Sequence, residues 1–501
     1  MSSTSATTTD ARPAHEEGHG HADRNARVHP LRFLARAEAA LADPVLQIAI
    51  ERTTGTAERK RADAVEGFPQ FDKARVLGKR IKDHVIANLD HYLLAFERNA
   101  IASGAKVHWA STAGEASRIV IGLCRDAGAK RVTRSKSMLG EEIGLPHALD
   151  EAGIDRVETD LAEHIVQLGG DTPSHIIWPS MHRTREQVSA MFHASHRVPH
   201  GEETIEAMVD SARRELRDKF FSSDVAISGA NFLIADTGST CTVTNEGNAE
   251  LTTSPPRVHI VTAGIEKLVP SASHAMAMLR LLVRSATGGD ITQYTTLHRG
   301  PRQPGDRDGP EEFHIVLVDN GRTRMLKEGL KEMLRCIRCG ACMNHCVVFR
   351  QIGGHAYGGV YPGPMGAVLT PVFDGLGAAR DLPHACTLNG RCREVCPVDI
   401  PLPTLMRGWR DRSWREGLEP PAARIGIGLF AFAASRPRIF HLGTALALRV
   451  MRLFRKNGLI QRMPLLGAWT RHRDFPAPAE RSFLAMYRDA QSGKTTPGSS
   501  R

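Results

Sequence analysis

The chain has 501 residues, of which 41% are apolar, and a formal net charge of +10. This length predicts about two to four domains, and the apolar content excludes a wholly disordered chain. The basic charge is local, because residues 401–475 hold 14 Lys and Arg against 4 Asp and Glu, an excess equal to the charge of the whole chain. This distribution disfavours a globally basic nucleic-acid-binding protein.

The predicted elements begin with a disordered tail at residues 1–28 and a helical segment at 29–100. Short apolar or β-branched runs then predict strands at Lys106–Trp109, Arg131–Thr133, Ile154–Glu158, His175–Trp178, Ala226–Ser228, Phe232–Ala235, Thr240–Thr244, Val258–Thr262 and Phe313–Val318. Helical spacing of apolar residues predicts helices at Ala116–Leu123, Met138–Ala152, Leu161–Leu168 and His274–Ser285. This alternation predicts an α/β fold with a largely parallel sheet and helices on its faces.

Beyond a loop at Gly300–Gly309, the chain becomes helical from Thr323 and enters a cysteine-rich region. The chain has nine cysteines, which are too few and too unevenly placed for a small secreted disulfide scaffold. Seven of them lie in this region, and the other two, Cys124 and Cys241, are predicted core residues. The N-terminus has no basic start followed by an apolar run, and no run of about 18 apolar residues occurs. We therefore predict a cytoplasmic, reducing compartment and a metal site.

The seven cysteines form two runs, C-x2-C-x2-C-x3-C and C-x5-C-x3-C-P. In bacterial two-cluster ferredoxins, the fourth cysteine of each run ligates the other cluster. This crossover predicts that a first site, with a [4Fe-4S] cluster, is ligated by Cys336, Cys339, Cys342 and Cys396. A second site is formed by Cys346, Cys386 and Cys392.

The second run departs from the ferredoxin pattern, because Asn389 stands where the middle cysteine is expected. Three thiolates suffice for a [3Fe-4S] cluster, whereas a [4Fe-4S] cluster at this site would need solvent or a non-cysteine group as fourth ligand. The run also resembles that of the iron–sulfur subunit of succinate dehydrogenase and fumarate reductase, and in that family the x5 run serves a three-iron cluster. Two clusters in one domain predict an electron relay.

Zinc is the main alternative to iron–sulfur clusters. Structural zinc usually takes two CxxC pairs separated by a longer loop, and three cysteines in one CxxCxxC loop crowd a single tetrahedral ion. A radical-SAM enzyme is a second alternative, but its CxxxCxxC spacing is absent. The spacing therefore favours iron–sulfur clusters.

Several segments of the chain resemble the lactate utilisation protein B family of the LUD domain group. The matching segments, within residues 65–480, are Ser135–Gly144, Glu158–Leu161, Ser174–Ile176, Ser228–Ser239, Thr244–Asn248, Gly264–Pro270 and Leu465–Arg471. With the element pattern, this resemblance implies three domains and a flexible tail. Residues 29–322 form a ribose-isomerase/CoA-transferase-like α/β LUD domain with its helical lead-in. Residues 323–403 form a helical dicluster ferredoxin-like domain, residues 404–480 a basic helical C-terminal extension, and residues 481–501 the tail.

The resemblance further implies a complex of three proteins that oxidises L-lactate to pyruvate, with this chain as its iron–sulfur component. The family's cluster ligands correspond to Cys336, Cys339, Cys342, Cys346, Cys392 and Cys396. Family members often have cysteine at the position of Asn389, so Cys386 is the ligand left to serve that side. Alternatives are an electron-transfer subunit for another 2-hydroxy acid or for a quinone-linked dehydrogenase, and a scaffold with structural clusters.

Two polar turns, Asp236–Thr240 and Asn245–Asn248, follow apolar strands of the α/β domain. Because loops at the carboxyl ends of strands form ligand crevices, they predict an anion or substrate pocket with Lys136 and Lys267 as counter-charges. The alternative is tight turns whose side chains satisfy backbone groups. Glu246 could act as a CoA-transferase-like nucleophile only by analogy of fold, so no catalytic residue is assigned.

The segment 404–475 mixes aromatic and aliphatic residues with arginine. It is either a basic extension packed on the dicluster domain or a docking surface for an acidic partner subunit or anionic lipid. The residues that could line one face of such a helix are Arg438, Arg449, Arg452, Arg455 and Lys456. The expected partners are the other subunits of the complex. The chain could also contact the inner face of the membrane peripherally, and no nucleic acid is expected as a partner.

Overall fold

The computed structural model describes residues 32–196, 204–463, 470, 474–479 and 482–492. It divides into two compact units, Met1–Glu416 and Gly417–Arg501, each treated by itself below. The tail predicted at residues 1–28 lies outside the described residues, as does nearly all of the segment Leu465–Arg471.

The first unit opens with four helices, as the sequence predicts: α1 Phe33–Ala42, α2 Pro44–Glu66, α3 Phe71–Ala87 and α4 Leu89–Ala102. Helix α2 starts at Pro44 because the Asp43 carboxylate accepts hydrogen bonds from the backbone N–H groups of Val45 and Leu46, both at 3.0 Å. These helices pack on the cysteine-rich region as well as on the α/β domain.

A six-stranded parallel sheet forms the centre of the α/β domain, in the order β1-β10-β7-β4-β2-β3. Its strands are β1 Lys106–Ala110, β2 Arg131–Arg134, β3 Asp155–Glu158, β4 Val225–Gly229, β7 Val258–Gly264 and β10 Glu312–Val318. Along β7, Val258 and Ile260 enter one apolar core while Val261 and Ala263 enter another on the opposite face. A strand buried on both faces is typical of a parallel sheet covered by helices, so the α/β prediction is confirmed.

The helices of this domain are α5 Ala113–Asp126, α6 Met138–Glu142, α7 Leu145–Glu151, α8 Leu161–Leu168, α9 Arg185–His196, α10 Ile205–Phe221, α11 Asn248–Thr253 and α12 Ala272–Ala286. A smaller sheet in the order β8-β5-β6-β9 contains β5 Phe232–Ile234, β6 Ser239–Thr244, β8 Leu268–Val269 and β9 Tyr294–His298. Strand β9 is not predicted from the sequence. Cys124 and Cys241 are both fully buried, as predicted.

The strand predicted at His175–Trp178 is wrong, because His175, Ile176 and Ile177 form successive bends and Trp178 belongs to no strand. The Nδ1 atom of His175 accepts hydrogen bonds from the backbone N–H groups of Ile177 and Trp178, at 3.0 and 3.2 Å. Those N–H groups therefore turn toward their own segment and cannot donate to a neighbouring strand.

Short helices make up the rest of the first unit: α13 Arg322–Lys327, α14 Ala341–Asn344, α15 Phe349–Ile352, α16 Gly363–Phe373, α17 Leu376–Ala379, α18 Asp381–His384, α19 Arg391–Glu394 and α20 Leu402–Arg415. Two 3-10 turns, Lys331–Arg335 and His355–Tyr357, lie among them. Trp409 of α20 is buried and donates its indole N–H to the Val368 carbonyl at 3.1 Å. This part of the segment 404–475 therefore packs into the first unit.

The second unit contains α21 Pro421–Ala434, α22 Pro437–Leu453, α23 Phe483–Gln491 and an antiparallel pair, β11 Leu459–Ile460 and β12 Phe475–Pro476. Helix α23 falls within the segment 481–501 that is predicted as a tail, and the Ser482 hydroxyl caps it by accepting from the Ala485 N–H at 3.3 Å. Among the described helices, none combines the length and apolar character needed to cross a bilayer.

Candidate functional site

The two cysteine runs have the same backbone conformation, and equivalent positions in them are 50 residues apart. In the first run, Arg338 and Gly340 have positive φ angles of 61° and 76°, and in the second, Leu388 and Gly390 have 57° and 89°. Helices α14 and α19 begin directly after the two glycines. At this offset Asn389 corresponds to Cys339. The two loops thus have the same shape, although the second lacks one thiol.

The structure gathers the seven thiols into two sets. Four thiols line one small cavity, and they are Cys336, Cys339, Cys342 and Cys396. The charges of Cys386 and Cys346 act on the third thiol of the other set, Cys392. The sets lie close together, because the charge of Cys392 also acts on Cys342. These are the two sets that the sequence predicts, and their role as iron ligands stays a prediction.

The chemistry of the thiols fits an iron–sulfur cluster. Burial, together with the charge of nearby thiolates, raises the pKa of Cys339 to about 12 and that of Cys396 to about 11. Four neighbouring thiolates, of which those of Cys339 and Cys396 are buried, cannot all remain ionised without cations, and iron would supply that charge. Within the described ranges, no group of three or more His, Cys, Asp or Glu converges on a position for a metal ion. The four thiols instead surround a cavity, as ligands at the corners of a cubane do.

Backbone N–H groups are directed at the sulfur atoms. The Sγ atom of Cys346 accepts from the Phe349 N–H at 3.5 Å, and that of Cys396 accepts from the Ile400 N–H at 3.4 Å. The Sγ atom of Cys386 accepts a similar bond at 3.3 Å. Hydrogen bonds of this kind are one of the means by which a protein sets the reduction potential of a cluster.

Two arginines of the N-terminal helices secure the second run. Arg61 of α2 donates to the Val395 carbonyl at 3.0 Å, and Arg75 of α3 donates to the Cys396 carbonyl at 3.1 Å. The sequence predicts helices here but gives no signal of these contacts, because they join residues more than 300 positions apart. The helical lead-in is therefore part of the cysteine site.

A pocket of about 470 Å³ lies at the carboxyl edge of the six-stranded sheet. Its α/β wall includes Lys136, Asn245, Glu246, Asn248 and Lys267, so these residues line a pocket as predicted, and the binding of an anion or substrate there stays a prediction. The turn Asp236–Thr240 is absent from the wall, and its predicted role there is wrong. Gly238 of that turn packs on α4, where an added Cβ would stand 2.1 Å from the Ala100 nitrogen.

The opposite wall comes from the cysteine region, which supplies Arg338 and Tyr361. The Arg338 guanidinium lies over the Tyr361 ring, 4.4 Å from its centroid, and 3.4 Å from a carboxylate oxygen of Glu266. Burial alone would lower the pKa of Arg338, but Tyr361 and then Cys336 raise it, so the arginine also interacts with the thiol. The pocket and the first thiol set therefore share a wall.

A buried ion network forms the floor of the pocket. Arg322 bonds Glu142 at 2.8 and 3.0 Å and Glu266 at 2.5 Å, and the Tyr361 hydroxyl donates to Glu142 at 2.7 Å. Burial alone would raise the pKa of Glu266, but Arg322, Arg338 and Lys267 outweigh it and hold the pKa at about 2. Burial lowers the pKa of Lys267 to about 8.

Sequence reasoning identified Lys136 and Lys267 but missed Glu266, Arg322 and Arg338. Glu266 is adjacent to Lys267 in a segment quoted for the family resemblance, so a signal for it existed. The two arginines had none, since their place in the pocket depends on how the cysteine region packs against the sheet.

Three family models match successive parts of the chain. The LUD domain model matches residues 93–318, the 4Fe-4S dicluster domain model matches residues 332–400, and the model named Lactate utilisation protein B, C-terminal, matches residues 415–492. The dicluster match supports the presence of iron–sulfur clusters in the region that contains the seven thiols.

Full-length relatives agree with these matches. The chain is 38% identical over 471 residues to an Escherichia coli protein described as the uncharacterized electron transport protein YkgF, covering 93% of this chain and 98% of that one. It is 37% identical over 469 residues to Lactate utilization protein B of Bacillus cereus, covering 93% and 99%. The chain is also similar to a crystal structure of a DUF162 family protein from Deinococcus radiodurans, at 13% identity and a TM-score of 0.26, over 46% of this chain and 98% of that one. By its identity to these relatives over nearly its whole length, the chain belongs to the lactate utilization protein B family.

Proposed function

We propose that this chain is the iron–sulfur electron-transfer component of a complex that oxidises L-lactate to pyruvate. The observation that carries the proposal is the pair of thiol sets, which lie side by side in a dicluster domain of a family whose members are named for lactate utilization. When bound, iron–sulfur clusters supply one-electron oxidation and reduction. The chain holds the thiolates in place, directs N–H groups at sulfur and excludes water from the buried members of each set.

The proposed ligands are those predicted from the spacing. Cys336, Cys339, Cys342 and Cys396 hold a [4Fe-4S] cluster at the first site. At the second site, a [3Fe-4S] or [4Fe-4S] cluster takes its thiolates from Cys346, Cys386 and Cys392. A relay of this kind needs an electron donor and an acceptor, and we propose the other subunits of the lactate-oxidising complex as its partners.

Redox-monitored EPR spectroscopy of the anaerobically purified protein tests this function. A relay requires clusters that change oxidation state within the range of a physiological donor. Clusters that never change oxidation state would instead identify a scaffold with structural clusters. Deletion of the gene, followed by growth on L-lactate or on another 2-hydroxy acid as sole carbon source, distinguishes lactate from the alternative substrates.

We also propose that α21 and α22 place the protein at an anionic membrane surface. No described residue of either helix is buried, and Leu442, Leu446 and Val450 are exposed along one side of α22. At 100° per residue, Arg438 and Arg449 both lie along one edge of that apolar side. A basic amphipathic helix of this kind binds anionic lipid through buried apolar area and charge.

Flotation with vesicles that contain anionic lipid tests this location. We expect binding at low salt and its loss when Arg438, Arg449 and Arg452 are replaced by glutamine, because each basic residue near the surface contributes about 1 kcal/mol. The matched control neutralises three exposed arginines of α10, which are Arg213, Arg214 and Arg217. Equal binding by both triple variants, or none by the unaltered protein, would remove the membrane from the proposal.

A further inference from the structure

The pocket between the sheet and the first cysteine run has cationic groups with unused bonding capacity. Arg322 donates four hydrogen bonds, to Glu142, Glu266 and the Asp319 carbonyl. Arg338 has a single long ion pair with Glu266, and its Nη1 atom is buried without a hydrogen-bond partner among the described residues. The Lys267 ammonium forms no hydrogen bond or ion pair within the described part of the chain. Such groups at a pocket wall are the partners that an anion requires.

The cysteine loop does not itself require a cation at position 338. In the second run the equivalent residue is Leu388, which has nearly the same backbone angle of 57°. An uncharged side chain therefore meets the conformational needs of this loop. The positive charge of Arg338 is a separate property, and the side chain that carries it lines the pocket.

The charges at this end of the pocket leave a positive excess. Lys267 and Arg338 lie close enough for their charges to act on one another. Lys82 adds a third buried cation, and its Nζ atom donates to the Glu266 carbonyl and, at 3.2 Å, to the Leu268 carbonyl. With Arg322, four cations face the two carboxylates of the floor network. A bound anion would lower the cost of keeping these cations buried together.

A carboxylate suits this pocket better than a phosphate. Phosphates bind at helix N-termini through free backbone N–H groups. Four helices, α6, α8, α11 and α13, have their first residues on the pocket wall, and α8 is the longest of them. In α8 the Asp160 carboxylate already accepts from the N–H groups of Ala162 and Glu163, at 3.0 and 3.1 Å. Asp160 is itself on the pocket wall and would repel a dianion. A planar carboxylate matches the guanidinium of Arg338.

We propose that this pocket binds a short-chain 2-hydroxy or 2-oxo carboxylate, with its carboxylate group between Arg338 and Lys267. The inference rests on the proposed function for the identity of the acid, which is then L-lactate or pyruvate. The volume of about 470 Å³ exceeds what a three-carbon acid fills, so longer acids also fit. Carbon chain atoms would contact the apolar wall formed by Ile165, Ile176 and Leu282. The substrate site would thus lie on this chain, beside the first thiol set.

Binding at this position would be linked to the first cluster site. The charges of Lys82, Lys267 and Arg338 all act on Cys336. A carboxylate that neutralises part of this positive charge would favour the oxidised, less negative cluster and lower its midpoint potential. By reciprocity, reduction of that cluster would weaken carboxylate binding by the same factor.

Calorimetric titration of the cluster-loaded protein tests the proposal without turnover. We expect saturable binding of L-lactate or pyruvate, no binding of the neutral analogue lactamide, and affinity at least about tenfold weaker in Arg338→Gln and in Lys267→Gln. The matched control is Lys130→Gln, which removes one exposed positive charge outside the pocket and should keep the affinity of the unaltered protein.

A second readout is the midpoint potential of the first cluster. Carboxylate should lower it in the unaltered protein, and Lys267→Gln should need at least about tenfold more carboxylate for the same shift, while cluster content and circular dichroism confirm that the variant is folded. The proposal is overturned if neither acid binds, if lactamide or inorganic phosphate binds more tightly than the acids, or if both pocket variants bind normally. If the acids do not bind but the clusters can still be reduced, the proposed electron relay is unaffected. Failure of the carboxylate site can therefore be distinguished from failure of the proposed function.

Discussion

Replacement of Asn389 by cysteine should complete the second thiol set. The Asn389 side-chain oxygen accepts from the Arg391 N–H at 3.1 Å, and Cys339 makes the equivalent contact with the Ala341 N–H in the first run. Asn389 therefore stands in the loop as Cys339 does, and a cysteine there needs no change of backbone. Asn389→Cys should give the second site the same four-thiolate arrangement as the first.

The size of the effect follows from the number of thiolates. Seven thiolates serve one four-iron and one three-iron cluster, or about seven irons per chain, and eight thiolates serve two four-iron clusters, or about eight. Cys339 is only 8% exposed, whereas Asn389 is exposed, so solvent reaches the corner that lacks a thiol. The unaltered protein should give a paramagnetic signal when oxidised that disappears on mild reduction, and Asn389→Cys should abolish it.

Iron analysis measures the number of irons per chain, and EPR spectroscopy of the oxidised protein measures the paramagnetic signal. The matched control is Thr387→Cys, which adds a thiol two residues away at another exposed position and should change neither quantity. The reciprocal variant Cys339→Asn should bring the first site to three thiolates and add a second signal. An unchanged spectrum in Asn389→Cys would refute the assignment of this loop to the second cluster.

Three further predictions concern the folded state. Arg322→Met leaves Glu142 and Glu266 buried without their main cation and should lower the free energy of unfolding by about 3–5 kcal/mol in urea titrations, and a loss below 1 kcal/mol would contradict the network's role. Gly366→Ala should destabilise by at least about 1–3 kcal/mol because the new Cβ would stand 1.5 Å from a backbone oxygen, whereas Gly377→Ala, with open space around it, should be neutral or stabilising in the same assay. Glu266 has a pKa of about 2 in the folded protein against an ordinary 4.5, so its ionised form stabilises the fold above pH 4.5. We expect the free energy of unfolding to fall by on the order of 3 kcal/mol between pH 4.5 and pH 2. A free energy of unfolding that stays constant over that range would contradict this prediction.

Local patterns in the sequence predicted most of the α/β domain. The central strands β4, β7 and β10 are apolar runs because both faces of the sheet are covered, and α8 has the predicted bounds Leu161–Leu168. The two failures have different causes. His175 bonds the N–H groups that a strand would need, and β9 is mostly exposed, so its sequence has no apolar signal.

The part of the site that depends on residues close together in the sequence could be predicted. The cysteine spacing alone separates the thiols into the two sets that the structure gathers. The pocket required contacts between distant segments, such as the approach of Arg338 to Glu266 across 72 residues. A sequence motif does not record which domain supplies the opposite wall, so Arg338 looked like a spacer between two cysteines.

The two thiol sets differ in their surroundings, and this difference gives the proposed relay a direction. Cys336 of the first set is half-buried itself and interacts with the cations of the pocket, and its loop neighbours Ile337 and Cys339 are buried. In the second set, Cys386 is half-buried, and Thr387 and Asn389 of its loop are exposed. A partner protein contacts an exposed loop more readily than a loop whose residues are buried. Electrons released at the pocket would therefore pass from the first site to the second and leave near Asn389, where a docked acceptor should protect Thr387 and Asn389 from solvent.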